Sequence, residues 1–179
     1  MRFVALVGSL RKESINMKLA RTIRERFHDK FELDILDIAS LPHFDQDMEK
    51  DPPEAVREFK AKLKQADGVI IVTPEYNWSV PGVLKNALDW TSREDQVLIG
   101  KPVMIAGATP GMMGTIRAQL HLRQILSSPG IQAKVLPAAG NELLVNLSMN
   151  KFSGDRLTDE PTLQHVDAVV HRFIDFASA

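Results

Sequence analysis

Apolar positions along this chain follow two alternating patterns. Short continuous runs, such as Phe3-Val4-Ala5-Leu6-Val7 and Gly68-Val69-Ile70-Ile71-Val72-Thr73, carry no polar alternation, which marks strands buried on both faces. The pattern predicts strands at 2–7, 32–37, 68–73, 102–107 and 132–137. Amphipathic spacing fills the gaps and predicts helices at 16–28, 53–66, 81–92, 114–127 and 162–177. In the first helix Leu19, Ala20, Ile23 and Phe27 share a face; in the last, Leu163, Val166, Val169, Val170, Phe173 and Ile174 do. Pro52-Pro53 opens the second helix, where a missing N–H costs little, and Ser128-Pro129-Gly130 ends the fourth. Strands alternating with helices predict an α/β fold with a five-stranded parallel sheet and helices on both faces. Residues 38–51 and 140–160 are the least regular. The second stretch, holding Asn141, Asn146, Asn150 and Gly154, reads as a surface excursion or an interface arm.

Composition narrows the function. At 179 residues the chain suits a single domain, 1–179, with a full core. A net charge of −1 leaves no broad basic field, which argues against nucleic acid as a partner. Basic residues do cluster at Arg11-Lys12, which suits one small anion. With no cysteine there are no disulfides, thiolate metal sites or thiol nucleophiles, in keeping with a cytoplasmic protein. The first residues enter a strand with no signal-peptide pattern, and no apolar stretch is long enough for a membrane span. The five histidines form no metal-ligand cluster, so no metal site is expected. His121 lies on a helix face that reads as packing or interface.

In a doubly wound sheet, ligands bind beyond the carboxyl ends of the strands, where strand order reverses. Three loops fall on that edge. The first, Gly8-Ser9-Leu10-Arg11-Lys12-Glu13-Ser14-Ile15-Asn16, joins a buried strand to a helix N-terminus. Free N–H groups and the positive helix end favour an anion there. Ser9 and Ser14 offer hydroxyls, and Arg11 a fork that matches phosphate. The alternative is an ordinary turn in which Ser14 or Asn16 only caps the helix. The second loop, Pro74-Glu75-Tyr76-Asn77-Trp78-Ser79-Val80-Pro81-Gly82, is stiffened by two prolines and carries two aromatics. It can grip a planar ring while backbone N–H groups meet the ring's polar edge; otherwise Tyr76 and Trp78 fill space under a turn or join a subunit contact. The third, Gly107-Ala108-Thr109-Pro110-Gly111-Met112-Met113-Gly114, lets backbone approach a ligand closely, or merely turns tightly. A phosphate cradle, an aromatic clamp and a glycine-rich wall together fit a phosphorylated planar cofactor. No Ser-His-Asp spacing appears and no catalytic acid–base set is evident, as expected where a cofactor carries the chemistry.

At these residues the chain resembles the NADPH-dependent FMN reductase family, of flavodoxin-like three-layer fold, with soluble bacterial quinone and chromate reductases nearest in pattern. The resemblance runs over nearly the whole chain. Its specific parts are Gly8-Ser9-Leu10-Arg11 with Ser14 and Asn16, then Thr73-Pro74-Glu75-Tyr76-Asn77 with Ser79-Val80-Pro81-Gly82 and Leu84-Lys85-Asn86-Ala87, and Gly100-Lys101-Pro102-Val103. The helix from Arg117 through His121-Leu122-Arg123-Gln124 is also similar to the family. The resemblance implies strand order 2-1-3-4-5. It implies FMN phosphate at Ser9, Arg11, Ser14 and Asn16, and isoalloxazine contacts at Pro74, Glu75, Tyr76 and Asn77. Ala108, Thr109 and Gly111 would close the ring's other edge. It also implies an enzyme in which flavin carries the chemistry: hydride passes from NAD(P)H to the ring, then to a small-molecule acceptor such as a quinone, azo dye, chromate or free flavin. No side chain is assigned a catalytic role. Family members are commonly dimers or tetramers. Here a homodimer or homotetramer is expected through helices 81–92 and 114–127, where Leu84, Leu88 and Trp90, and Ile116, Leu120, Leu122, Ile125 and Leu126, supply apolar surface. Trp78 or Arg117 would then reach across the seam. Two alternatives are a flavodoxin-like electron carrier, against which near-neutral charge argues, and a flavin-binding interaction module.

Overall fold

A computed structural model describes residues 1–179. In chain order the elements are β1 (Arg2–Val7), α1 (Ile15–Arg26), β2 (Glu32–Leu36), α2 (Glu54–Gln65), β3 (Gly68–Val72), α3 (Gly82–Thr91), β4 (Pro102–Ala108), α4 (Ile116–Leu126), β5 (Lys134–Val135), β6 (Leu143–Val145), β7 (Phe152–Ser153), β8 (Arg156–Leu157) and α5 (Glu160–Ser178). The main sheet is parallel with order β2-β1-β3-β4-β5. β1 and β3 lie side by side at its centre, with Val4 opposite Val69 and Val7 opposite Val72.

The unbroken apolar runs are buried on both faces. Phe3, Ala5 and Val7 of β1, with Ile70 and Val72 of β3, face α1 and α5. Val4, Leu6, Val69 and Ile71 face α2, α3 and α4. Two cores thus sandwich one sheet, and aromatic packing of Phe3 on Phe31 and Phe173 anchors the first.

The structure departs from the expected elements at the fifth strand. β5 is only two residues, and a sixth strand inside the stretch read as irregular continues the same edge of β4. β5 pairs with the start of β4, Pro102 opposite Lys134; β6 pairs with its end, Ala106 opposite Leu143 and Ala108 opposite Val145. The break has a local cause. Pro137 has no N–H for a ladder, and Gly140 takes a left-handed conformation at φ 76°. Asn141 closes the turn by donating from Nδ2 to the Pro137 carbonyl, and Arg172 of α5 braces it through Asn141 Oδ1 and the Gly140 carbonyl. Beyond β6 the chain forms the small β7–β8 hairpin. It lies on α1, where Leu157 N–H donates to Thr22 Oγ1 and Lys18 Nζ to the Gly154 carbonyl.

No helix is long and apolar enough to cross a membrane.

Candidate active site

The loops after β1, β3, β4 and β6 emerge together at the carboxyl edge of the sheet. Contacts between them set their spacing. Gly8 lies so close to β3 that a Cβ there would sit 2.7 Å from Thr73 Oγ1. At Gly107 a Cβ would meet the Thr73 carbonyl at 2.4 Å, so β4 can leave the sheet against the β3 loop only with glycine there. Asn16, at the start of α1, donates from Nδ2 to the Ala108 carbonyl at 3.0 Å and accepts the Ala108 N–H at 2.8 Å. That reciprocal pair is buried and ties the first loop to the third.

The first loop has the properties of an anion cradle. Ser9 and Ser14 are buried, 7 % and 3 % exposed. Ser9 Oγ accepts from Arg11 N–H and Ser14 Oγ from Met17 N–H, the latter capping α1. Neither hydroxyl donates within the chain, so both hydrogens remain for a ligand. The N–H groups of Ser9, Leu10 and residues 12–16 have no carbonyl partner either. Arg11 is exposed and makes no ion pair, whereas Glu13, the one acid of the loop, is paired with Lys18 at 3.2 Å. That bond and the neighbouring Asp155 hold the Lys18 ammonium above the usual lysine range against desolvation. Free donors at a helix N-terminus, with the local carboxylate neutralised, fit a phosphate monoester.

The second loop is a tight turn. Tyr76 and Ser79 exchange both backbone hydrogen bonds at 3.0 Å, with Asn77 at φ 51° and Trp78 at φ 65°. A left-handed tryptophan is unfavourable by about 1–2 kcal/mol, and conformations of this kind concentrate at functional sites. The turn leaves Trp78 70 % exposed and Tyr76 half-exposed. Pro74 is buried, its carbonyl held by Thr73 Oγ1. Glu75 points away from the turn tip. Its Oε2 accepts the N–H groups of Arg117 and Ala118 at 3.0 and 3.2 Å and so completes the N-terminus of α4. Arg117 lies 3.8 Å from Glu75 Oε1 and stacks on Trp78, its guanidinium carbon 4.3 Å from the ring centroid. Ser79 Oγ meets His121 Nδ1 at 2.7 Å.

In the third loop Thr109 Oγ1 accepts the Gly111 N–H, and Thr109 N–H donates to the Val145 carbonyl. Residues after β6 complete this wall: Leu147 N–H donates to the Gly111 carbonyl, Ser148 N–H to that of Thr109, and Asn146 Nδ2 to that of Met112. Met112, Met113, Leu147 and Met149 stand exposed along it.

All eleven residues expected from the sequence therefore lie on three adjoining loops or on the element ends that flank them, Asn16 in the first turn of α1 and Ala108 at the end of β4. Three of them, Asn16, Ala108 and Glu75, are engaged in ways the sequence did not reveal, Glu75 through its carboxylate at the start of α4. The Asn16 side chain and the Ala108 backbone hold each other, so Asn16 faces the cradle with its N–H and Ala108 offers no free polar backbone atom. Residues 146–149 were missed as part of the edge because nothing marks β6 in an irregular stretch. Ser79 and His121 were not paired in the sequence reading because 42 positions separate them.

The order of the sheet and the cradle at its switch point define a flavodoxin-like α/β protein built to hold a phosphorylated planar cofactor. The family pattern of NADPH-dependent FMN reductases matches residues 1–141, and the chain belongs to that family. It is similar to a quinone reductase of Escherichia coli, 41 % identical over 182 residues covering 98 % of this chain and 95 % of that protein. It is also similar to an NADH-dependent flavin reductase subunit of Lactobacillus johnsonii, 39 % identical over 98 % of this chain and 97 % of the relative. Among solved structures, the flavoenzyme NAD(P)H:(acceptor) oxidoreductase FerB of Paracoccus denitrificans superposes with a TM-score of 0.89 at 32 % identity, covering 99 % of this chain and 97 % of that one. The protein is thus an FMN-dependent oxidoreductase with NAD(P)H as cosubstrate.

Proposed function

We propose that the protein is an NAD(P)H-dependent quinone reductase, acting as one FMN-binding domain over residues 1–179. The observation that carries the site is the pair of buried hydroxyls, Ser9 and Ser14, with free hydrogens beside a run of unpartnered N–H groups. The phosphate takes those hydroxyls, the Arg11 guanidinium and the N–H of Asn16. The ring lies along Pro74, Glu75, Tyr76 and Asn77, with the backbone donors of the turn at its polar edge. Ala108, Thr109 and Gly111 form the opposite wall. FMN, when bound, supplies the hydride-transfer chemistry; the chain orients it, excludes water from one face and stabilises negative charge with fixed dipoles. The acceptor is flat and largely apolar. Exposed Trp78, Met112, Met113 and Met149 line the mouth, and thioether side chains adapt to varied aromatic shapes. The sequence of the E. coli quinone reductase supports that choice.

The same mouth supports assembly as a homodimer, or a tetramer of two dimers. Leu120 of α4 is exposed beside the site, while Leu84, Leu88, Trp90, Leu122 and Leu126 are buried in this chain's own core. A partner contact therefore runs through Leu120 and the methionine wall rather than through α3. Trp78 and Arg117 stack on each other within one chain, so any contact they make across a seam is made as a unit. A cytoplasmic location accords with the absence of cysteine.

Two measurements test the reading. FMN should bind more tightly than FAD, because a terminal phosphate fills the cradle better than a diphosphate extended by adenosine; tighter FAD binding overturns the site. Steady-state NAD(P)H oxidation with quinones, azo dyes, chromate and free flavin should give the highest kcat/KM with a quinone; a clear preference for chromate overturns the acceptor class.

A further inference from the structure

Resting on the quinone-reductase reading, we propose that Ser79 and His121 form a proton relay that protonates the acceptor as it is reduced. Reduction of a quinone to a hydroquinone takes a hydride and a proton. NAD(P)H supplies the hydride through the established activity, and the proton needs a route of its own. The net reaction balances as NAD(P)H, H⁺ and quinone giving NAD(P)⁺ and hydroquinone.

Of the five imidazoles, one is bonded to a loop expected to hold the ring; His43 is exposed in the segment after β2 and has no hydrogen-bond partner in the chain. His28 bonds the Glu25 carbonyl at the far end of α1, and His165 and His171 sit on α5 against the Glu142 and Asp167 carbonyls. His121 alone meets a residue of the ring-binding loop. Its Nδ1 lies 2.7 Å from Ser79 Oγ, and the rest of the ring is open to solvent. Ser79 is pinned by its two backbone bonds to Tyr76, one residue beyond the strained Trp78, so its hydroxyl is held at the site mouth. Of the other ionisable groups nearby, the Tyr76 phenol is exposed and bonds no residue of the chain, whereas Glu75 and Arg117 are committed. The Glu75 carboxylate holds the first N–H groups of α4, and Arg117, one turn before His121, stacks on Trp78.

In the relay the imidazolium Nδ1–H donates to Ser79 Oγ. The Ser79 O–H bond breaks as a new O–H bond forms on the acceptor oxygen, and the Nδ1 proton restores the serine hydroxyl. The neutral imidazole regains a proton from water. Imidazole is the side-chain type that exchanges protons near neutral pH, and a serine bridge lets it act without leaving its helix.

Ferricyanide makes the test specific, because it takes single electrons and no proton. The readout is the ratio of turnover with 2-methyl-1,4-naphthoquinone to turnover with ferricyanide, measured in one FMN-loaded preparation. Ser79→Ala and His121→Asn should each lower that ratio about tenfold or more, and the double variant should fall no further than either single one. His121→Asn keeps a donor near the Nδ1 position, so loss of the ratio there reports proton supply rather than turn geometry. A second readout needs no turnover. Addition of 1-naphthol, a redox-inert hydroquinone mimic, should shift the ring-nitrogen NMR signals of His121 in the wild type and not in Ser79→Ala. An unchanged ratio in both variants, or a naphthol shift that survives Ser79→Ala, overturns the relay. A wild-type holoprotein that reduces ferricyanide but no quinone overturns the quinone reading itself, and the relay with it.

Discussion

Asn16→Ala separates a tie between loops from a ligand contact. The Asn16 side chain is 2 % exposed, and it satisfies both polar backbone atoms of Ala108, itself 1 % exposed. Truncation leaves a buried N–H and a buried C=O without partners, each at a cost of about 1–3 kcal/mol. Water entering the space of the lost amide recovers part of that, so the net expectation is about 3 kcal/mol. For a chain of 179 residues each kcal/mol lowers Tm by roughly 2–4 °C, which places the apoprotein about 6–12 °C below wild type. Thermal unfolding of the FMN-free protein measures this without any ligand effect. FMN titration on the same variant should show affinity reduced about tenfold or more, because the cradle is no longer held against the β4 loop. An apoprotein that melts within about 2 °C of wild type, yet binds FMN poorly, refutes the reasoning. Asn16 would then act on the ligand through its side chain and not through Ala108.

Arg11→Ala removes an unpaired guanidinium, and a hydrogen bond to a charged group contributes about 1.5–3 kcal/mol; FMN affinity should drop roughly ten- to a hundredfold while riboflavin affinity barely changes, and equal losses would make Arg11 structural. Glu75→Ala strips the carboxylate from two α4 N–H groups and should cost about 1 kcal/mol, with Glu75→Gln costing less because it keeps one acceptor; urea midpoints that rank the variants the other way contradict the capping role. The bond from the Thr162 hydroxyl, with the Thr162 N–H, holds the Asp159 carboxylate below the usual range against desolvation. Since the folded pKa is depressed, its contribution is present above the unfolded value of about 3.9 and is lost as pH falls through the folded one. The destabilisation by Asp159→Ala should therefore shrink from pH 6 towards pH 3, and a constant difference would show that the charge is irrelevant.

Much of this protein can be read in one dimension. Runs such as Val69-Ile70-Ile71-Val72 permit no solvent face, so a parallel sheet covered on both sides follows from local pattern and the strand–helix alternation. The parallel arrangement also sends residues 8–16, 74–77 and 108–111 to one edge, which is why the ligand loops were legible. Other features depend on positions far apart in sequence meeting in space. Pro137 and Gly140 mark where the fifth strand breaks, but that its second piece rejoins the sheet depends on β4 offering an open edge long enough for two short pieces, a property of the partner strand. Asn16 looked like a phosphate ligand because its residue type and place in the loop suit one; only the approach of Ala108, 92 positions away, turns its side chain into a tie. Glu75 reads as a ring contact by its place in the loop, but its carboxylate is claimed by the first N–H groups of α4, which leaves only the rest of the residue for a ring. Trp78 carries a backbone conformation that no propensity predicts, made tolerable by the bonds between Tyr76 and Ser79 and by Arg117 across the turn. The layers, the edge and the chemistry available there follow from periodicity and residue type alone. Which groups stay free to meet a ligand depends on long-range contacts, because each donor and acceptor is claimed by whichever neighbour the fold brings within hydrogen-bond reach.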